Sequence, residues 1–326
     1  MNPTLQAPPT GRRQVYCILS ARSLPYARRA VSSLLERCDE ALDLKLITDT
    51  EADHLALVEA IGDMGVPARH RCSVHAQAEA DDIAAARFAG LKHLSAFRFG
   101  HPCWRKITDP LLFAEPGEEM VILDPDLYFP NRFRFEPTPP QGILLMWQRP
   151  SCLLPHETVM TAYDAGIGLA HHVDIGVAHA RNNLDLGWLD DLIARLGGTA
   201  LPRAMHVEAI VWAALAMRVG GGYLDPVHWH CWQNTQWKRV AQALHVPGAT
   251  LLRAEDFTAM KCFHGGGAAK WWIEPALAAG LIGPPGDQTR SAPIRPFEAL
   301  TRAEYLSTQR VKAVARKLGY YRLMAR

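Results

Sequence analysis

The chain has 326 residues, 48% of them hydrophobic and 21% charged, and a net charge of +2 at pH 7. This is ordinary globular composition, with apolar surface enough for a large core in one large or two modest domains. The small net charge argues against nucleic acid as the main partner, and no run approaches the length of a transmembrane helix.

Residues 1–14 are polar and proline-bearing, lack a secretory apolar region, and are expected to form a disordered leader. Residues 15–19 read as a strand, residues 24–38 as a helix with Ala30, Leu34 and Leu35 at helical spacing, and residues 42–48 as a second strand. Strand, helix and strand with short connections open a doubly wound α/β sheet. No G-x-G-x-x-G or Walker sequence follows either strand, so a dinucleotide or P-loop site is unsupported. Residues 51–61 predict a helix, residues 66–74 fit no single period, and residues 78–96 predict one helix with Asp81 and Asp82 in its first turn. A further helix runs from 105 to 113.

An apolar run, Met120-Val121-Ile122-Leu123, then ends in Asp124-Pro125-Asp126. Such a run reads as a buried strand of a mostly parallel sheet, and Pro125 cannot donate to its ladder. Residues i and i+2 of an extended chain share a side. Asp124 and Asp126 should therefore project together from a strand's C-terminal end, where open α/β sheets bind ligands. Two hard oxygen ligands on one side suit Mg²⁺ or Mn²⁺, with phosphate in other positions. An isolated pair of this kind is also compatible with a solvated turn, so the assignment leans on the residues downstream.

Residues 142–147 give another strand, and residues 150–170 are candidates to cover a site. Residues 173–177 form a short strand with Asp174 embedded; residues 186–196 and 207–218 are amphipathic helices, the second stopped by Gly220-Gly221-Gly222. His228, His230 and Cys231 match no zinc spacing, and Trp229 and Trp232 read as core packing ahead of an acceptor-sugar platform. The seven cysteines are dispersed without a C-x-x-C pair, which favours reduced thiols and a cytoplasmic setting. Residues 264–272 read His-Gly-Gly-Gly-Ala-Ala-Lys-Trp-Trp. His264 offers an imidazole as a third metal ligand. The glycines permit close backbone approach to an anion, and Lys270 is a compact cation suited to phosphate.

In this order, D-x-D after a strand and then H-x-x-G-x-x-K before tryptophan, the chain resembles glycosyltransferase family 8, the glycogenin-like and galactosyltransferase-like enzymes. The resemblance covers roughly residues 15–272. It implies an α/β GT-A (Rossmann-like) fold with a mixed, mainly parallel sheet flanked by helices. The GT-A domain is expected at 15–290 and a basic helical extension at 291–326. It further implies Mn²⁺ (or Mg²⁺) held by Asp124, Asp126 and His264. Gly267 and Lys270 would meet the donor diphosphate, with Asp124 and Lys106 also on the nucleotide-sugar. The implied reaction is metal-dependent transfer of a sugar from a nucleotide-diphosphate donor, UDP-sugar by preference, to a glycan, lipid or protein acceptor, with retention. Trp271 replaces the motif's proline, Asp174 the usual asparagine, and Glu208-Ala209 lacks the usual glutamine. Asp174 and Glu208 lie where the transferred sugar would sit and are the candidate catalytic carboxylates beside a cation-like anomeric carbon. These departures keep a degenerate, non-catalytic nucleotide-sugar binding module as the alternative.

Topology adds Ser20, Ala21 and Asp49 near the base and ribose, with Tyr26 able to stack on the base or to pack on its own helix. Residues 310–326 carry Lys312, Arg316, Lys317 and Arg322 among Val311, Val314 and Leu318, without an acid. This basic amphipathic tail suits either the inner face of an anionic membrane or packing on its own domain.

Overall fold

The computed structural model describes residues 11–320. Its first part runs β1 (Arg13–Ile18), α1 (Leu24–Arg37), β2 (Leu42–Ile47), α2 (Glu51–Met64), β3 (Arg71–His75), α3 (Gln77–Arg87), α4 (Lys92–Arg98), α5 (Arg105–Phe113) and β4 (Glu119–Leu123). Next come β5 (Leu127–Tyr128), β6 (Arg132–Phe133), β7 (Ile143–Trp147), α6 (His156–Asp164), β8 (Val173–Arg181), α7 (Leu186–Leu196) and α8 (Val207–Val219). The remainder is β9 (Gly221–Tyr223), β10 (Trp229–Cys231), α9 (Gln236–Ala243), α10 (Gly248–Leu251), β11 (Cys262–His264), α11 (Ile273–Ala278), β12 (Asp287–Gln288), β13 (Arg295–Pro296) and α12 (Arg302–Lys317).

An eleven-stranded sheet has the order β3-β2-β1-β4-β8-β7-β10-β11-β5, with β9 on β7 and β13 on β9. β1 pairs parallel with β2 and β4, and β7 pairs parallel with β9 and β10. β8 runs antiparallel between β4 and β7. The C-terminal ends of β1, β4, β7 and β10 and the N-terminal end of β8 therefore share one edge. The sheet is mixed and mainly parallel, with helices on both faces. β4 is apolar from Met120 to Leu123 because both its faces are covered there. Met120 and Ile122 enter the core beneath α3 to α8, while Val121 and Leu123 enter the core beneath α1.

Several boundaries differ from the sequence reading. β1 starts at Arg13, inside the stretch expected to be a leader. The Arg13 guanidinium is buried but lies 3.1 Å from Glu119 and 3.5 Å from Glu40, so partners offset its desolvation. Residues 1–10 lie outside the described residues. The helix expected over 78–96 is two helices, α3 and α4, broken between Phe88 and Leu91, where Gly90 has φ +81°. The break turns Arg98 toward Asp109, 2.8 Å away, in a pair closed off from solvent. β8 extends to Arg181 and pairs along the whole of β4. Residues 295–296 pair with β9, so the end of the chain is tied to the sheet before α12 begins at Arg302. Trp229 is fully buried and stacks on Phe135. Among the described residues no helix is long and apolar enough to cross a membrane.

Candidate active site

β4 ends at Leu123, and Asp124 and Asp126 follow at the shared strand edge. β11 ends at His264, and its partner strand β5 begins directly after the acid pair, with His264 opposite Leu127. The Gly265 amide donates to the Asp126 carbonyl at 2.9 Å, closing the two motifs on each other. His264 Nε2 lies 3.3 Å from Asp126 Oδ1 and 3.7 Å from Asp124 Oδ2. One ligand atom from each of the three side chains lies within 4.8 Å of the others. Two carboxylates and an imidazole form a donor set that suits Mn²⁺ or Mg²⁺.

The far side of the imidazole is fixed. His264 Nδ1 is 2.8 Å from Asp174 Oδ1, the carboxylate oxygen that also accepts from the Gly176 amide at 3.0 Å. The Cys231 thiol donates to Asp174 Oδ2 at 3.5 Å. A carboxylate behind a ligating histidine orients its ring and raises its basicity. Burial would lower the His264 pKa, but Asp174 and then Asp126 outweigh burial and hold it well above the ordinary value. A metal bound at Nε2 therefore displaces a proton. Cys231, with Asp174 and His264, makes a second cluster of ligand types. Burial pushes this thiol up to about 12, so it stays protonated and supports the ring. Gly176 is required at this spot, because a Cβ there would come within 2.5 Å of His264 Nδ1.

Two lysines flank the acids. Lys106 Nζ lies 2.6 Å from Asp124 Oδ1 and 3.0 Å from Glu208 Oε1. Burial would lower the Lys106 pKa, but Asp124 and Glu208 raise it well above the ordinary value. Burial pushes Glu208 up to about 8 despite Lys106. On the opposite side, Lys270 Nζ is 3.3 Å from Asp126 Oδ2 and 4.6 Å from the Tyr26 ring centroid. Burial would raise Asp126, yet His264 and Lys270 together hold it below the usual carboxylate range. Asp124 differs: burial raises its pKa despite Lys106, so only Asp126 is held firmly in the charged form by its cations.

These residues line a cavity of about 950 Å³. Ser20, Tyr26, Asp49, Lys106, Asp174, Glu208, Gly267 and Lys270 all reach its wall; Ala21 does not. The Ala21 amide instead donates to Asp53 at 2.7 Å, beside the first turn of α2. Asp49 is held by Arg105 at 2.5 Å, and Arg105 in turn by Asp109 at 2.8 Å. Of the three glycines after His264, Gly267 has a positive φ, +67°, where the chain turns toward Lys270. The sequence reading missed Gln148, which follows β7 as Asp124 follows β4, and missed Arg149, Cys152, Arg239 and Gln242 on the same wall. An apolar strand ending in a polar residue was the available signal for Gln148.

Neither a protein-family model nor a curated protein sequence matches the chain. Among solved structures, the apo structure of WbbM, a bifunctional glycosyltransferase, aligns with TM-score 0.50 and 9% identity over 87% of this chain and 51% of that one. The chain has the GT-A fold. Two further structures align. Apo mouse xyloside xylosyltransferase 1 does so with TM-score 0.49 and 13% identity over 80% of this chain and 99% of that one. The galactosyltransferase LgtC, in complex with donor and acceptor sugar analogues, does so with TM-score 0.41 and 11% identity over 82% and 92%. At such identities the likeness is one of fold. In this GT-A chain the acid pair leaves the centre of the sheet, with the ends of β1 and β2 on one side and those of β7 and β10 on the other.

Proposed function

We propose that the protein is a metal-dependent glycosyltransferase. It moves a sugar from a nucleotide-diphosphate donor, UDP-sugar by preference, to an acceptor, with retention. The observation that carries this reading is the approach of His264 to Asp124 and Asp126, with Lys270 beside them, on the wall of one large cavity. The GT-A fold, which the chain shares with a glycosyltransferase, supports the same class. A divalent ion held by Asp124, Asp126 and His264 supplies charge for the diphosphate leaving group. Lys270 adds a second positive centre beside it. Ser20, Asp49 and Tyr26 serve the nucleoside over β1 and β2, and Gly267 gives the diphosphate close backbone access. Asp174 spends its oxygens on His264, Gly176 and Cys231, so its contribution runs through the imidazole. Glu208, its pKa raised by burial, faces Lys106 at 3.0 Å within the sugar half.

That engagement of Asp174 and Glu208 also favours a second reading, a nucleotide-sugar binding module without turnover. Titration with UDP, with and without Mn²⁺, followed by assay of UDP release from several UDP-sugars, separates the two. The enzyme reading expects Mn²⁺-dependent binding and release. Metal-dependent binding without release from any donor supports the module. Binding indifferent to Mn²⁺ removes the metal from both.

α12 and the residue after it expose Val311, Val314 and Leu318, at 68%, 56% and 76%, beside Lys312, Arg316 and Lys317. We propose that this face rests on an anionic bilayer at the inner side of a membrane; Arg322 lies outside the described residues. Sedimentation with phosphatidylglycerol vesicles should carry the protein down at low salt, and phosphatidylcholine vesicles should not. Equal recovery with both lipids would sink this contact.

A further inference from the structure

The cavity wall is unevenly charged. Each carboxylate on it has a basic partner: Asp49 has Arg105, Asp124 and Glu208 have Lys106, Asp126 has Lys270 and His264, and Asp174 has His264. Three arginines on the same wall, Arg22, Arg149 and Arg239, have no carboxylate within 4.0 Å among the described residues. Arg22 stands just after β1, on the nucleoside side. Arg149 follows β7 by two residues and Arg239 lies on α9 just after β10, so both belong to the other half of the cavity. Arg239 uses Nε on the Asn234 carbonyl at 3.1 Å, which leaves the terminal nitrogens of its fork uncommitted. Gln148, Gln242 and Trp232 line this half with them. The Gln148 amide is taken up by Val173 and Cys231, Gln242 Nε2 by Asn234 and Lys238, and Lys238 Nζ lies 3.8 Å over the Trp232 ring, so the groups left for a ligand are the two guanidinium groups. Two arginines without acids recognise an anion, and a guanidinium matches a carboxylate or phosphate two bonds at a time.

Building on the transferase reading, we propose that the half of the cavity over β7 and β10 receives the acceptor. The acceptor carries a phosphate or carboxylate gripped by Arg149 and Arg239. The donor's own diphosphate does not supply this charge, because the metal cluster and Lys270 already meet it between the two halves.

The test uses full-length protein saturated with Mn²⁺ and UDP, so that the diphosphate site is filled. It is titrated calorimetrically with glucose, glucose 6-phosphate and glucuronate. At least one charged sugar should bind about tenfold or more tightly than glucose, and the better of the two names the anion. In the Arg149→Gln/Arg239→Gln variant the advantage should fall to within about threefold, with Mn²⁺-dependent UDP binding unchanged. A wild-type protein that binds neither charged sugar better than glucose, or an advantage that survives in the variant, overturns the proposal. Loss of Mn²⁺-dependent UDP binding in the wild-type protein counts against the transferase reading instead, and is read before any sugar is added.

Discussion

Replacing Asp126 by alanine should abolish Mn²⁺-dependent release of nucleoside diphosphate from a sugar donor, a fall of about a thousandfold or more. The substitution removes one of three candidate metal ligands and the only acid partner of Lys270 among the described residues. Metal affinity should fall by at least the roughly hundredfold that loss of an outer-shell partner can cost. The backbone link to Gly265 runs through the Asp126 carbonyl and survives the change, so the fold should persist. The measurement is turnover at saturating donor across a Mn²⁺ series, with circular dichroism as the control. Turnover equal to the parent would remove Asp126 from the mechanism and the metal site with it.

Why Asp126 was legible, and other groups were not, follows from where each signal lies. Met120 to Leu123 are apolar at every position because the sheet is covered on both faces, so an acid pair straight after them marks the strand end without ambiguity. His264 has no comparable local pattern. It ends a three-residue strand and is one of fourteen histidines, so its chemistry offered it as a third ligand but only the resemblance set it against the acids in order and spacing. The resemblance also pointed to Lys106, but its clamp between Asp124 and Glu208 is a tertiary event that no window of sequence contains. Helical periodicity carried a helix through residues 78–96 because it weights apolar spacing, whereas the backbone turns at Gly90. Arg13 was assigned to a leader because residues 1–14 are polar and proline-bearing, with too little apolar surface to order them. The order at Arg13 comes instead from its pairing with β2 and from the half-buried Glu40 and Glu119. Arg149 and Arg239 gave no signal, since an arginine without a partner is recognised only once every neighbouring acid is accounted for.

The second large effect concerns the other end of the strand that carries His264. Lys261, just before β11, is fully buried, with Nζ 2.5 Å from Glu136 Oε1. Glu136 also accepts from Trp229 Nε1 at 3.1 Å and from the Ala292 amide at 3.0 Å. Lys261→Met keeps the shape of the side chain but strands a buried carboxylate, at a cost of about 3–5 kcal/mol. Thermal melts should fall by roughly 5–10 °C. Adding Glu136→Gln should recover at least half of the loss, because the amide keeps an acceptor without a charge to desolvate. A Lys261→Met protein as stable as the parent would mean that the carboxylate takes up a proton at little cost, and the pair would then not anchor β11. Because the ion pair and the imidazole sit at opposite ends of one short strand, the double variant should regain Mn²⁺-dependent UDP binding as it regains stability. β11 thus has a buried charge pair at its root and the candidate metal ligand His264 at its tip.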